Sequence, residues 1–160
     1  MFTHRPERLR SVSYVGVHQY FLTFCTFQRA KHFVTAEHVQ LTLSQIQRAA
    51  EQERFAIPAY CFMPDHVHML VEGLSDSSDL RMFIKLAKQY AGYYFSKATG
   101  NRLWQPYVYE HIVRSDESSE EIVQYILENP LRKKLVASLL DYPFLGSCTV
   151  TREELLQSYK

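Results

Sequence analysis

Four side chains in this sequence have the types and spacing to do chemistry together. The run Met63-Pro64-Asp65-His66-Val67-His68-Met69-Leu70 puts two histidines one residue apart in a stretch that reads as a strand. Alternate strand residues share a face, so His66 and His68 point one way while Val67 points into a core. Two imidazoles on one rigid element are half of a metal site and leave coordination positions open for a substrate. About sixty residues on, Tyr125-Ile126-Leu127-Glu128-Asn129-Pro130 places a phenol and an amide at i and i+4 of an expected helix, on one face and one turn apart. If that face lies over the histidine strand, Asn129 supplies an oxygen ligand beside the two imidazoles. The metal then polarises a phosphodiester, and Tyr125 is the nucleophile that attacks phosphorus. Each feature alone has an ordinary explanation. A His-x-His pair is more often surface or core histidine, Tyr125 could pack a helix on a sheet, and Asn129 before proline could simply end a helix.

The elements that must position these groups follow from periodicity. Residues 14–27 alternate and are rich in Tyr, Phe, Thr and Val, which predicts a strand. Residues 35–53 carry Val39, Leu43, Ile46 and Ala50 at helical spacing, with Thr35 as N-cap. Ala56–Phe62 and His66–Glu72 read as a hairpin around Met63-Pro64-Asp65. Ser78 or Asp79 caps a helix running to about Lys97, the loop 98–101 ends it, and Trp104–Val113 is a fourth strand. Ser115 is expected to cap the next helix, whose first turn is acidic and which breaks at Pro130. A short helix over about 131–139 and a partly irregular tail follow. The order β-α-β-β-α-β-α predicts an α+β fold of the ferredoxin-like split βαβ type. It has a four-stranded antiparallel sheet, helices on one face, and a C-terminal helix carrying the tyrosine. One domain over 1–160 is expected, with its core at about 14–139.

Composition narrows the class. The 160 residues are 46% hydrophobic and 22% charged, ordinary for a globular protein. A net charge of +1 gives no global argument for nucleic acid, but the stretch from Arg81 to Arg102 contains no acid. Within it stand Arg81, Lys85, Lys88 and Lys97, and Arg132-Lys133-Lys134 follows Pro130. Arg81, Lys85, Lys88, Arg132, Lys133 and Lys134 are therefore candidates to neutralise a phosphate backbone, although a solvated helix face explains such runs as well. Tyr90, Tyr93, Tyr94, Tyr107 and Tyr109 interleave with them and could stack unpaired bases. Cys25, Cys61 and Cys148 are too few and too scattered for a disulfide scaffold or zinc ribbon, so free thiols are expected. No apolar leader stands at Met1–Pro6 and no run approaches membrane-spanning length, which predicts a protein of the reducing cytoplasm.

Taken as a set, these motifs resemble the REP-associated tyrosine transposases, a branch of the HUH single-strand endonucleases that includes the small tyrosine transposases of insertion sequences. The resemblance runs from about Tyr14 to Phe144. It rests on Tyr20-Phe21-Leu22-Thr23-Phe24-Cys25-Thr26, the histidine strand, Leu103-Trp104-Gln105, His111-Ile112-Val113-Arg114-Ser115, Tyr125 to Pro130, and Asp141-Tyr142-Pro143. It implies cleavage of single-stranded DNA near hairpins, leaving a 5′-phosphotyrosine and a free 3′-hydroxyl. By the same resemblance His66 and His68 bind metal, Asn129 completes the metal site, Tyr125 is the nucleophile, and Mg²⁺ or Mn²⁺ is the ion. The implied partner is hairpin-bearing single-stranded DNA in the nucleoid, met by a monomer or a homodimer. Two rivals stay open: a catalytically idle hairpin-binding module, and a metallohydrolase that uses metal-bound water and needs no tyrosine.

Overall fold

The computed structural model describes residues 14–159. The N-terminal stretch expected to lack an apolar leader lies outside them. The chain builds β1 (Gln19–Thr26), α1 (Ala36–Glu53), β2 (Phe55–Met63), β3 (His66–Gly73), α2 (Leu80–Thr99) and β4 (Trp104–Ile112). After these come α3 (Ser119–Leu127), α4 (Asn129–Arg132), β5 (Leu145–Gly146) and α5 (Arg152–Gln157). The strands form one sheet in the order β4-β1-β3-β2-β5, with every pair antiparallel. The expected ferredoxin-like core is therefore present, extended by a fifth, two-residue strand from the tail.

The sheet buries both faces. Tyr20, Leu22 and Phe24 of β1 and Val67, Met69 and Val71 of β3 face α1 and α2 in the larger core. On the other face Ala59, Cys61, Met63 and Leu70 pack against Val123, Ile126 and Leu127 of α3 and against the tail. β2 changes sides part-way. Phe55 and Ile57 face the larger core, the register shifts between Ala56 and Ala59, and beyond it Phe62 faces that core instead. An extra residue in one strand inverts the alternation, and Pro58 sits where no ladder N–H is required.

Local chemistry explains the boundaries. Thr35 accepts a hydrogen bond from the His38 amide, and Asp79 accepts from Arg81 and Met82, as helix N-caps do. Gly100, at φ 76°, ends α2 in the left-handed conformation. β1 begins at Gln19 rather than Tyr14 because Gly16 turns at φ 112°, leaving only an isolated bridge from Val15 to Asp79. Gly73 permits this turn, since a Cβ there would lie 2.1 Å from the Gly16 carbonyl oxygen.

Three expectations are corrected. Ser118, not Ser115, caps α3, because the Glu117 carboxylate first binds the Arg114 amide and the His111 ring and folds 114–117 into a turn. The helix expected over 131–139 is only the single turn of α4, ended by Lys134 at φ 57°, with a separate 3-10 turn at Leu139–Asp141. The tail is also more ordered than expected. Tyr142 donates its hydroxyl to the Phe62 carbonyl, Cys148 N–H reaches the Ile57 carbonyl at 2.9 Å, and Thr151 and Glu154 form a capping box on α5. These bonds cover the edge of β2 that would otherwise be open.

Candidate active site

His66 and His68 project from β3 on the α3 side of the sheet, opposite the larger core. They are only 8% and 9% exposed, and their ring centroids lie 4.7 Å apart. The alternation argument placed them correctly: Val67 between them is fully buried under α1 and α2. Each ring is held through Nδ1. His66 Nδ1 lies 2.8 Å from Asp65 Oδ1, and His68 Nδ1 lies 2.8 Å from Thr23 Oγ1 on the neighbouring strand. With Nδ1 taken on both rings, Nε2 is left as the donor atom for a ligand. Arg29 holds Asp65 in turn, its Nε 3.0 Å from Asp65 Oδ2.

The electrostatics keep both imidazoles neutral. Burial drives His68 down to about 3, with His66, Arg132 and Arg29 adding like charge. Burial lowers His66 too, against the opposing pull of Asp65. Burial raises the Asp65 carboxyl, but its bonds with His66 and Arg29 outweigh that and hold it below the ordinary value. Neutral imidazole is the form that ligates a metal, so these groups need lose no proton to do so.

Tyr125 lies above them on α3. Its ring is 6.1 Å from His68 and 5.9 Å edge-on to Phe21, which itself stacks on His68 at 5.3 Å. It is half exposed, and the imidazole beside it is His68 of the same chain. Asn129 is 4% exposed at the α3–α4 junction, and its Nδ2 is buried without a hydrogen-bond partner. Among the described residues no three His, Cys, Asp or Glu side chains gather into a metal cluster. A divalent ion here would draw on the two imidazoles and on Oδ1 of Asn129, the unpartnered Nδ2 being an N–H group that ligates no metal. Two imidazoles and one amide oxygen would accept Mn²⁺ or Mg²⁺ and leave positions open for phosphate oxygens.

Beside Tyr125 opens a cleft of about 390 Å³ lined by Phe21, His111, Glu117, Glu121 and Ile122, among others. The candidate DNA contacts divide between the two faces. Arg132 and Lys133 stand on the histidine side, with Arg132 Cζ 4.0 Å from the Tyr125 ring centre and Lys133 near enough to His66 to help depress its pKa. Lys134 follows them as an exposed residue. Arg81, Lys85 and Lys88 belong to α2, across the sheet. Arg81 stacks on Tyr14 at 5.1 Å, and Lys88 donates to the Gln105 and Pro106 carbonyls at 2.9 and 2.6 Å. Lys88 thus ties α2 to β4. Tyr90 is also engaged, donating to Gln52 under Arg48, whereas Tyr93, Tyr94 and Tyr107 are exposed and Tyr109 lies edge-on to Phe21 beside the site.

Comparison with known proteins settles the family. Residues 14–129 match the family described as "Transposase IS200 like". A REP-associated tyrosine transposase of Escherichia coli is 30% identical over 135 residues, covering 82% of this chain and 77% of that protein. The chain belongs to the IS200-like transposases, among the REP-associated tyrosine transposases. A provisionally named REP-associated tyrosine transposase of Haemophilus influenzae is 25% identical over 138 residues, 78% of this chain and 77% of that one. Among solved structures, a REP-associated tyrosine transposase bound to a REP hairpin superposes with a TM-score of 0.72 at 24% identity, covering 88% of this chain and 82% of that one. A transposase from Deinococcus radiodurans superposes at 0.54 with 23% identity, covering 76% and 95%. Both likenesses are to the transposase fold.

Sequence reasoning missed Thr23, Asp65 and Arg29 as members of this site. Thr23 was open to detection, because a ferredoxin-like order puts β1 beside β3 and same-face pairing then sets Thr23 opposite His68. Asp65 reads in the sequence only as a turn residue. Arg29 had no signal: it reaches the site from a turn in which Gln28 and Arg29 both stand at φ 55°.

Proposed function

We propose that this transposase is a metal-dependent single-strand DNA transesterase, cutting and rejoining beside REP-like hairpins through a covalent 5′-phosphotyrosine at Tyr125. The observation that carries this reading is the pair of buried, neutral imidazoles with a half-exposed phenol 6.1 Å from one of them. A hairpin-bound structure with the same fold supports the substrate class. A divalent ion, Mg²⁺ or Mn²⁺, held by His66, His68 and Asn129 would polarise the scissile phosphate and offset its developing charge. Tyr125 gives up its phenolic proton and its oxygen bonds to phosphorus. The bond from phosphorus to the 3′-oxygen breaks, and that oxygen takes a proton to leave as a 3′-hydroxyl. One phosphodiester is exchanged for another, so attack by a 3′-hydroxyl on the phosphotyrosine rejoins the strand. Asp65 and Thr23 fix the two rings, and Lys133 with Lys134 gives the phosphate a cationic approach. The acids of the neighbouring cleft repel the backbone from the other side.

The test uses labelled single-stranded DNA carrying the hairpin repeats beside the gene, incubated with Mn²⁺ or Mg²⁺ and resolved on a denaturing gel. The expected result is a covalent protein–DNA band that chelator abolishes and Tyr125→Phe lacks. Hairpin binding with no such band would make the protein a binding module. Cleavage that survives Tyr125→Phe would make it a hydrolase using metal-bound water.

A further inference from the structure

We infer that Arg132 positions the Tyr125 ring for attack rather than serving as a general contact to the DNA backbone. The inference rests on Tyr125 being the nucleophile. Tyr125, Asn129 and Arg132 stand at i, i+4 and i+7, which share one face of a helix. The helix is interrupted at Glu128 and resumes at once, with the Arg132 amide bonding the Glu128 carbonyl at 3.0 Å, so that face survives the break. Arg132 holds Tyr125 at two points. Its guanidinium carbon sits 4.0 Å over the ring centre, and its Nη2 donates to the Tyr125 carbonyl oxygen at 2.6 Å. The Glu128 carboxylate adds a third tie, with Oε2 3.9 Å from Nη1.

Each tie spends a part of the guanidinium that a phosphate would need. One edge is on the carbonyl and one face is on the ring, and the nearest carboxylate partly offsets the charge. Lys133 and Lys134 are exposed and their amides bond the Asn129 and Leu131 carbonyls, while their ammonium groups enter no hydrogen bond or ion pair among the described residues, so they are the better backbone contacts. The ring, in contrast, needs a second wall. It is half exposed on α3 and leans edge-on to Phe21 on one side. A planar cation over one face with an aromatic edge against the ring fixes χ1 and χ2 of a side chain that otherwise swings over the site. Lysine can supply the charge and a donor to the carbonyl, but it has no plane to lay on the ring.

The experiment compares wild type, Arg132→Lys and Arg132→Ala on hairpin-bearing single-stranded DNA with Mn²⁺. It measures the single-turnover rate of adduct formation at saturating DNA, and hairpin affinity in chelator over a range of salt. Misplacing a reacting group by about 1 Å costs roughly a hundredfold, so both variants should lose on the order of a hundredfold in rate. Affinity and its salt slope should match wild type. An unchanged rate, full rescue by lysine, or a salt slope reduced by about one with the rate intact would overturn the inference, the last marking an ordinary phosphate contact. Should the alanine variant fail to fold, the lysine variant decides alone. A second readout does not depend on turnover. The side-chain protons of Arg132 should show an upfield ring-current shift that Tyr125→Leu removes, and absence of that shift would also refute the contact. A wild-type protein that forms no adduct but keeps the shift would defeat the reaction assigned above and leave the contact standing.

Discussion

Acidifying the metal-free protein from pH 6 to pH 5 should weaken its fold steeply, and His68→Gln should remove a defined share of that slope. Burial holds His68 at about 3 in the folded chain, whereas a free imidazole titrates near the ordinary value of about 6.5. Between those values the unfolded chain binds a proton that the native state refuses. Stability is therefore full above the unfolded value and falls as pH drops through it toward the folded value. One such group contributes a slope of about 1.4 kcal/mol per pH unit while that difference lasts. His66 and His32 are lowered as well, burial being the main cause for each, so the wild-type slope exceeds one proton's worth at its upper end. Asp65, whose carboxyl is held below its ordinary value, adds to the loss only at lower pH, which is why the window is set above pH 5. Glutamine keeps a polar partner for Thr23 and removes the titration. Urea unfolding followed by circular dichroism, in chelator at pH 7, 6 and 5, gives both slopes. The variant's line should be shallower by about 1.4 kcal/mol per pH unit between pH 6 and 5. Parallel lines would mean that His68 titrates normally in the native state, and the account of a site built from pre-neutralised ligands would fall with it.

Three further outcomes follow from the same geometry. Thr23→Val removes the hydroxyl that holds His68 Nδ1 and should weaken Mn²⁺ binding by about 10- to 100-fold in calorimetry; equal affinity would mean the second strand does not orient the ring. Gly73→Ala drives a methyl to 2.1 Å from the Gly16 oxygen and should cost about 2 kcal/mol, a fall in Tm of roughly 4–8 °C by calorimetry, whereas an unchanged Tm would show that the 16–18 turn yields freely. Lys88→Met should lower stability by about 2 kcal/mol through loss of two carbonyl contacts, with no change in the salt dependence of hairpin binding; a slope smaller by about one would return Lys88 to the DNA-binding set.

The parts legible in the sequence were those fixed by local period. Alternation placed His66 and His68 on one face and Val67 on the other, and helical spacing gave Tyr125 and Asn129 a shared face, which tertiary packing then brings beside His68. Capping chemistry located α1 and α2 to within a residue or two, because Thr35 and Asp79 act on amides two or three positions away. What escaped was set by tertiary bonds. Ser115 has the chemistry of an N-cap, but Glu117 is drawn off to His111 across the turn and moves the start of α3. The two-residue β5 has no period to read, and it forms because Tyr142 and Cys148 anchor the tail along β2. Arg29 owes its place to two successive left-handed residues of ordinary type, a conformation that neither glutamine nor arginine advertises.

The unequal burial of the reacting groups follows from the parts they would play in the proposed reaction. Ligands benefit from rigidity, since every degree of freedom frozen during folding is one that metal and substrate need not freeze later. His66 and His68 meet that requirement from the middle strand of the sheet, each held at Nδ1 by a partner outside the proposed ligand set. A nucleophile that must reach phosphorus, stay bonded to DNA and then release it cannot be sealed in the same way. Tyr125 accordingly sits on a nine-residue helix at the surface of the second core, exposed over half its area and steadied by a planar cation and an aromatic edge. The charge pattern then restricts how DNA can reach it. Glu117 and Glu121 line the cleft on one side of the ring, while Lys133 stands on the side of His66, so a phosphodiester is repelled from the first and drawn to the second. Reversing that asymmetry, with Glu121→Lys, should therefore raise hairpin affinity while slowing adduct formation, because tighter binding would be to the wrong side of the tyrosine. A gel-shift and an adduct assay on the same DNA would separate the two effects, and affinity and rate rising together would show that the cleft, too, receives the strand.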